Sequence, residues 1–323
     1  MSVKEKTLEI LEKNKNTPLS GEALAQSLGV SRAAVWKAVK SLRAEGYEIT
    51  SATNRGYILS PHSDILSAPA VKNFLRDEAL DANLTILKTV DSTNTYAKKL
   101  AIEGAPEKTV VAAETQTAGR GRLGRSFYSP EKTGLYLSVI LRPQAPAEEA
   151  SFITITAALA VCMAIEALTG ASPQIKWVND IFLNGKKVCG ILTEGETSME
   201  TRLMEYAVLG IGINVKPATF PEDLRKIAGS LGNSRLSRNK LCAEILNQLF
   251  KLNSKNDRNF IISEYKKRSL VPGKTVNFVK NGIPMTGTAA DINDQGNLIV
   301  NTSHGTEILI SGEISIGSEN YAN

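Results

Sequence analysis

Histidine and cysteine are scarce in this sequence. There are two histidines, His62 and His304, and three cysteines, Cys162, Cys189 and Cys242, far apart and without C-x-x-C spacing. Odd, scattered cysteines argue against a disulfide framework and read as reduced packing residues. Without a Cys/His cluster a structural zinc site is not expected, and no protein metal site is assigned. No apolar run approaches the roughly 18 residues a membrane span needs. The first residues, MSVKEKTLEILEKNK, mix charges where a secretory leader would carry an apolar stretch. A cytoplasmic protein with no membrane partner is expected. Charge of one sign is also nearly lacking in excess: 38 Lys and Arg against 33 Asp and Glu leave +5. That balance does not by itself imply nucleic acid, although a locally basic surface could.

What is present is ordinary globular material: 323 residues, 42% hydrophobic and 22% charged, enough for two or three domains. The first sixty residues have their own organisation. A short amphipathic helix over 3–14 places Val3, Leu8 and Leu11 on one side. A second helix runs from about Glu22 to Leu28 and stops at Gly29. A third starts at Ser31, a good N-cap, and ends near Gly46. Small Ala25 at a crossing, Gly29 in the turn and inward Val35 follow the packing logic of a helix-turn-helix. The segment YEITSATNRGYIL alternates, breaks at Asn54–Gly56 and alternates again, as a β-hairpin wing does. Ser31, Arg32, Lys37 and Lys40 then form the DNA-binding side of the third helix, with Arg32 and Lys37 approaching the major groove, and Arg55 at the wing tip would reach phosphate or the minor groove. The alternative is a three-helix packing module with a solvated basic face. Pro61 and the polar residues after it read as a linker, and ILSAPAVKNFL as a short helix opening the next domain.

From about residue 84 to 270 the pattern is mixed α and β. LTILKTV, VVAAE, LYLSVIL and YAVLGIGINV read as strands, and DSTNTYAKKLAIEG as a helix with Ser92, Thr93 and Asn94 at its start. Glu148 to Leu168 is a long apolar helix expected to be buried. QIKWVNDIFLNGKKVCGILTEGE reads as a hairpin turning at Asn184-Gly185. Two helices, about 237–253 and 257–267, close the domain. From Val271, short alternating strands with turns at Asn281-Gly282, Asp294–Asn297 and His304-Gly305 read as a small β-barrel of SH3-like size.

The stretch TQTAGRGRLGRSF, residues 115–127, needs its own account. Gly119, Gly121 and Gly124 fit G-x-G-x-x-G, but a turn and strand follow where the dinucleotide fingerprint needs a helix. GKT at 273–275 is no P-loop, because residue 268 is Arg. Glycines allow close backbone approach, and arginines supply planar forks for carboxylate or phosphate. With no acid among them the three arginines cannot pair locally, so the run is expected to be mobile until an anion arrives. A basic solvated loop is the bland alternative.

Beside DSTN, KWVND, GKKVCGI and GIGINV that alternative recedes. In this order and spacing the five stretches resemble the biotin–protein ligase family, specifically its bifunctional bacterial members that also repress biotin genes. The resemblance covers nearly the whole chain. It departs at Val178, where proline is common, at Leu123, often arginine, and at Phe127, often tryptophan. The implied fold is α+β and multidomain. A winged helix-turn-helix spans 1–62, and a catalytic domain of the biotin ligase fold, like class II aminoacyl-tRNA synthetases, spans 67–270. A small SH3-like β domain spans 271–323.

The implied reaction consumes ATP with Mg²⁺. It forms biotinyl-5′-AMP and transfers biotin to one lysine of a biotin carboxyl carrier domain, such as that of acetyl-CoA carboxylase. The same adenylate would act as corepressor for operator DNA, with a homodimer forming when it is bound. By resemblance Ser92, Thr93, Asn94 and Gln116 bind the ureido end of biotin. Arg120, Gly121 and Arg122 close over carboxylate and α-phosphate, and Lys187 bridges the two. Arg125, Lys176 and Asn179 belong to the ATP and adenylate site, Asn214 reads adenine, and Asp180 assists the acceptor amine. Lys187, Arg122 and Asp180 form the catalytic set, and Trp177 is equally readable as core. A lipoate ligase, sharing fold and adenylation chemistry, and a ligand-sensing regulator without turnover are the alternatives.

Overall fold

The computed structural model describes residues 2–52, 56–217 and 219–316. The chain forms two compact units: Met1–Arg76 with Ser237–Glu244, and Asp77–Leu236 with Ile245–Asn323.

The first unit opens with α1 (Val3–Lys13), α2 (Gly21–Leu28) and α3 (Arg32–Ala44). Serine hydroxyls start all three. Ser2 and Glu5 form a reciprocal capping box, Ser20 Oγ accepts from Ala23 N, and Ser31 Oγ from Ala34 N. Gly29, at φ 65°, ends α2 in the left-handed conformation that glycine adopts without a Cβ penalty. Leu8, Leu11, Leu24, Ala25, Val35, Val39 and Leu42 pack into one core. Strands β1 (Ile49–Ala52) and β2 (Gly56–Leu59) pair antiparallel, as a wing does. The wing tip, including Arg55, lies outside the described residues.

The polar stretch read as a linker is tied down before α4 (Ala68–Lys72). Arg238, at the start of α7 (Arg238–Lys255), is 1% exposed. Its backbone N and its Nε donate to the two carboxylate oxygens of Asp64 at 2.8 and 3.0 Å. Asn239 donates to Ile65 O and accepts from Ser67 N, both at 2.9 Å.

The second unit is built on a seven-stranded mixed sheet. Its strands are β3 (Asn83–Val90), β4 (Thr109–Gln116), β5 (Gly134–Leu141), β6 (Gln174–Lys176), β7 (Asp180–Leu183), β8 (Lys186–Thr197) and β9 (Met204–Asn214). Their spatial order is β3-β4-β5-β9-β8-β7-β6. Only β3 and β4 run parallel, and α5 (Thr93–Ile102) makes that crossover. The β7–β8 hairpin turns on Asn184 (φ 52°) and Gly185 (φ 74°), the positive pair a two-residue turn demands. Helix α6 (Ala150–Thr169) corrects one expectation. By length and composition the stretch Ala147–Thr169 is long and apolar enough to cross a membrane. Here Ile155 to Val161 are buried, and α6 packs on β8 and on α8 (Arg258–Arg268).

The C-terminal strands are β10 (Thr275–Lys280), β11 (Ile283–Ile292), β12 (Leu298–Thr302), β13 (Gly305–Leu309) and β14 (Ile314–Ile316). They form one antiparallel sheet in the order β13-β12-β11-β10-β14. Among the described residues β13 and β14 are its two unpaired ends, so the sheet is open.

Candidate functional site

A cavity of about 360 Å³ lies in the second unit, where the start of α5 and the ends of β4, β8 and β9 meet the arginine–glycine loop. Ser92, Thr93, Asn94, Gln116, Arg120, Gly121, Arg122, Arg125, Lys176, Asn179, Asp180, Lys187 and Asn214 all line it. Residues spread over more than 120 positions of sequence therefore share one space.

Part of the lining is neutral and polar. Thr93 donates to Gln116 Oε1 from its N–H at 2.8 Å and its hydroxyl at 3.1 Å. Gln116 Nε2 donates to Ser129 Oγ at 2.8 Å. Ser92 adopts the extended N-cap conformation, yet its hydroxyl makes no capping bond and is left to the cavity. Both ends of the Asn94 amide are occupied: Oδ1 accepts from Ser138 Oγ at 2.6 Å, and Nδ2 donates to Glu194 at 2.9 Å. Asn94 is thus engaged by protein, unlike Ser92.

The rest of the lining is charged. Lys187 Nζ lies 2.7 Å from Asp180 Oδ1 across the β7–β8 hairpin. Asn179 Nδ2 donates to Asp180 Oδ1 at 3.2 Å and to Ile191 O at 2.9 Å. Arg122 donates to Asn179 Oδ1 at 3.0 Å. Lys176 is buried, and burial holds its ammonium below the usual lysine range against the opposing pull of Asp180 and Glu313.

The loop folds back on itself. Gly121 N donates to Arg125 O at 2.7 Å and Phe127 N to Gly119 O at 2.8 Å, with Leu123 (φ 53°) and Gly124 (φ 76°) at the tip. Its arginines find acids after all, but distant ones. Arg120 pairs with Glu194 at 3.0 Å, and Arg125 pairs with Glu313 of the C-terminal region. Local sequence could not supply these partners.

The glycines of GIGIN have a packing reason as well. A Cβ on Gly210 would stand 2.1 Å from Asn94 Oδ1, and one on Gly212 would stand 2.6 Å from the Phe127 ring. Phe127 in turn meets Tyr136 edge-on at 6.3 Å. Asn214, one step further along the same face, donates to Gly229 O at 2.9 Å. Trp177 is 2% exposed and its indole donates to Gly296 O at 2.9 Å, so it serves the core while touching the cavity.

Comparison with known proteins agrees with this arrangement. The profile of the biotin/lipoate A/B protein ligase family matches residues 86–214, an HTH domain matches 3–58, and the biotin protein ligase C terminal domain matches 272–317. The bifunctional ligase/repressor BirA of Bacillus spizizenii is 36% identical over 309 residues, 93% of this chain and 94% of that one. The chain belongs to the biotin protein ligase family.

Two further members place it within that family. The biotin--[acetyl-CoA-carboxylase] ligase of Mycobacterium tuberculosis is 31% identical over 78% of this chain and 97% of its own. The biotin protein ligase from Aquifex aeolicus, solved in complex with biotin and ATP, superposes with a TM-score of 0.61 at 30% identity. It covers 73% of this chain and 98% of its own.

In the first unit the HTH match falls on α1–α3 and the wing. Arg32, Lys37 and Lys40 are exposed on α3. Arg32 Nε lies 3.5 Å from Glu22, and Lys40 Nζ lies 5.2 Å over the ring of Trp36, itself 53% exposed. Ser31 serves as the helix cap. Sequence reasoning passed over Trp36, over Glu313 and the residues from Phe220 to Ala228 in the cavity's lining, and over Ser138 and Glu194, which bond to the lining residues Thr93, Asn94 and Arg120. Ser138 did carry a signal, being a lone hydroxyl in the apolar strand LYLSVIL. The others are brought in by pairing and by the C-terminal region, which no local pattern encodes.

Proposed function

We propose that this chain is an ATP-dependent biotin–protein ligase that also acts as a biotinyl-AMP-responsive repressor. One observation carries the reading: neutral hydrogen-bonding residues suited to a ureido ring and cations suited to carboxylate and phosphate line the same cavity. A lipoate ligase would have no use for the ureido set.

In the first step a biotin carboxylate oxygen bonds to the α-phosphorus of ATP, and the bond to pyrophosphate breaks. Two anions must meet, so their repulsion is the main barrier that cations can lower. Lys187 has two further protons besides the one aimed at Asp180, and it bridges carboxylate and α-phosphate. Arg120 and Arg122, turned inward by the loop, cover the same charge, and Gly121 lets the backbone come close. Ser92, Thr93 and Gln116 take the ureido end, with Asn94 behind them. Arg125, Lys176 and Asn179 hold nucleotide phosphates, and Asn214 stands at the adenine. Mg²⁺ arrives with ATP. Among the described residues there is no group of three or more His, Cys, Asp or Glu side chains that could hold a metal ion. Triphosphate oxygens and water fit it best.

In the second step the acceptor lysine's amine attacks the acyl carbon of biotinyl-AMP, AMP leaves, and the amine's proton passes to a base. Free lysine is mostly protonated near neutrality, so a carboxylate at the site is useful. Asp180 is that group. The acceptor is a biotin carboxyl carrier domain; the name of the mycobacterial relative gives acetyl-CoA carboxylase as that protein's acceptor.

We assign the winged helix to 1–62, the ligase domain to 67–270 and an SH3-like domain to 271–323, in a cytoplasmic protein. Ser31, Arg32, Lys37, Lys40 and Arg55 form the operator face. An operator of two half-sites needs two such faces at fixed separation. If biotinyl-AMP orders the loop, the ligand meets an ordering cost that a homodimer would otherwise bear, and the two events become coupled. The decisive experiment measures pyrophosphate exchange into ATP with biotin and with lipoate, then streptavidin blotting of a carrier domain. Equal exchange with lipoate sinks the substrate assignment. Sedimentation and operator binding with and without biotin plus ATP, at one stated salt, test the coupling.

A further inference from the structure

Glu194 on β8 bonds to two residues of the cavity's lining. Its Oε2 accepts from Asn94 Nδ2 at 2.9 Å, and its Oε1 lies 3.0 Å from Arg120 of the loop. We propose that Glu194 is a positioning residue that sets the hydrogen-bond polarity of the ureido pocket and fastens the arginine–glycine loop to it. The proposal rests on the biotin-ligase reading.

The polarity follows from which atoms can donate. Leu192 O and the Glu194 carboxylate only accept, so the Asn94 amide turns its NH₂ toward them, and its Oδ1 faces Ser138. Ser138 Oγ is fully buried and has one proton. It lies 2.6 Å from Asn94 Oδ1 and 2.8 Å from Thr93 Oγ1. Because Asn94 Oδ1 cannot donate, Ser138 Oγ donates to it, while the Thr93 hydroxyl proton goes to Gln116 Oε1. Donation then runs in one direction, from Ser138 through Asn94 to Glu194. Gln116 Oε1 accepts from both the N–H and the hydroxyl of Thr93, which leaves the Thr93 oxygen as the acceptor. The pocket therefore presents an acceptor at Thr93, the complement of an N–H group of a ureido ring.

A neutral amide at position 194 would remove the fixed end of this chain. It could donate to Asn94, let that amide turn over, and set donors against the ligand's own N–H groups. It would also release Arg120, which β-bridges to Ser126 at the base of the loop.

The experiment uses the full chain with Glu194→Gln, Arg120→Ala and the double variant. Biotin affinity is read by calorimetry without ATP, KM for ATP by exchange, and retention of biotinyl-AMP by release kinetics. Glu194→Gln is expected to weaken biotin by about tenfold or more, the scale of a charge-assisted bond. KM for ATP should stay within about twofold, a split that general loss of packing would not give. Biotinyl-AMP release should quicken in each single variant, and the double variant should fall short of their product because the two share one contact. If Glu194→Gln fails to fold, Glu194→Asp carries the test with the same split at smaller size. Unchanged biotin affinity, or multiplicative release rates in the double variant, overturns the proposal. A parent protein without biotin-dependent exchange overturns the ligase reading instead.

Discussion

Lys187 Nζ lies 2.7 Å from Asp180 Oδ1, and Asn179 donates to the same carboxylate oxygen. Lys187, the β8 lysine that lines the cavity, is thereby held beside the hairpin before any substrate arrives. Lys187→Ala should lower the rate of adenylate formation by roughly a hundredfold or more, given ~1.5–3 kcal/mol for a charge-assisted bond and more where charge develops. Asp180→Asn should depress transfer to the carrier more than pyrophosphate exchange. Single-turnover measurements of the two half-reactions separate these outcomes. Equal losses in both half-reactions for Asp180→Asn would refute its assigned role.

Gly210→Ala should damage the ureido pocket without touching a charge. The new methyl would stand 2.1 Å from Asn94 Oδ1, so Asn94 must leave Ser138 and Glu194. A cost of about 1–3 kcal/mol in stability is expected from overpacking and broken hydrogen bonds, with KM for biotin raised. Thermal melting and biotin titration of the variant check this. A variant with parental biotin KM would refute it.

Glu12 gives the first unit a pH dependence. It is buried, its Oε1 has no hydrogen-bond partner among the described residues, and its Oε2 lies 3.0 Å from Lys15. Burial raises its carboxyl above the usual value of 4.5, opposed by Lys15. A raised folded-state value means stabilisation that is full below 4.5 and lost as pH climbs through that raised value. Glu12→Gln should therefore melt higher at pH 7, by about 1 kcal/mol, with no gain near pH 4. An equal effect at both pH values would contradict the account.

Truncation should depend sharply on where the cut falls. Asp64, Ile65 and Ser67 satisfy Arg238 and Asn239. Deleting residues 1–60 keeps those bonds, whereas deleting 1–66 leaves a buried arginine without its carboxylate, a loss on the order of 3–5 kcal/mol. The shorter deletion should lose operator binding and retain biotin-dependent exchange. The longer one should melt earlier. Identical melting curves would show that the Asp64–Arg238 pair is not holding this segment.

Much of the molecule is written in local pattern. Serine caps, Gly29, the apolar period of α3 and the Asn184-Gly185 turn act over a few residues, so they announce their elements wherever the chain goes. The arginine–glycine run announces an anion site by its residue types, whereas KWVND and GIGIN announce one only through their resemblance to the family. What sequence alone did not settle is who pairs with whom. Arg120 and Arg125 look unpaired within their own stretch, yet strand pairing and the C-terminal region bring Glu194 and Glu313 to them. The apparent linker around Asp64 is anchored by a residue 174 positions away. Nothing local marks Gly210 within its strand, but folding sets Asn94 against it. An ion pair or a steric contact depends on distance in space, and only the assembled sheets fix that distance.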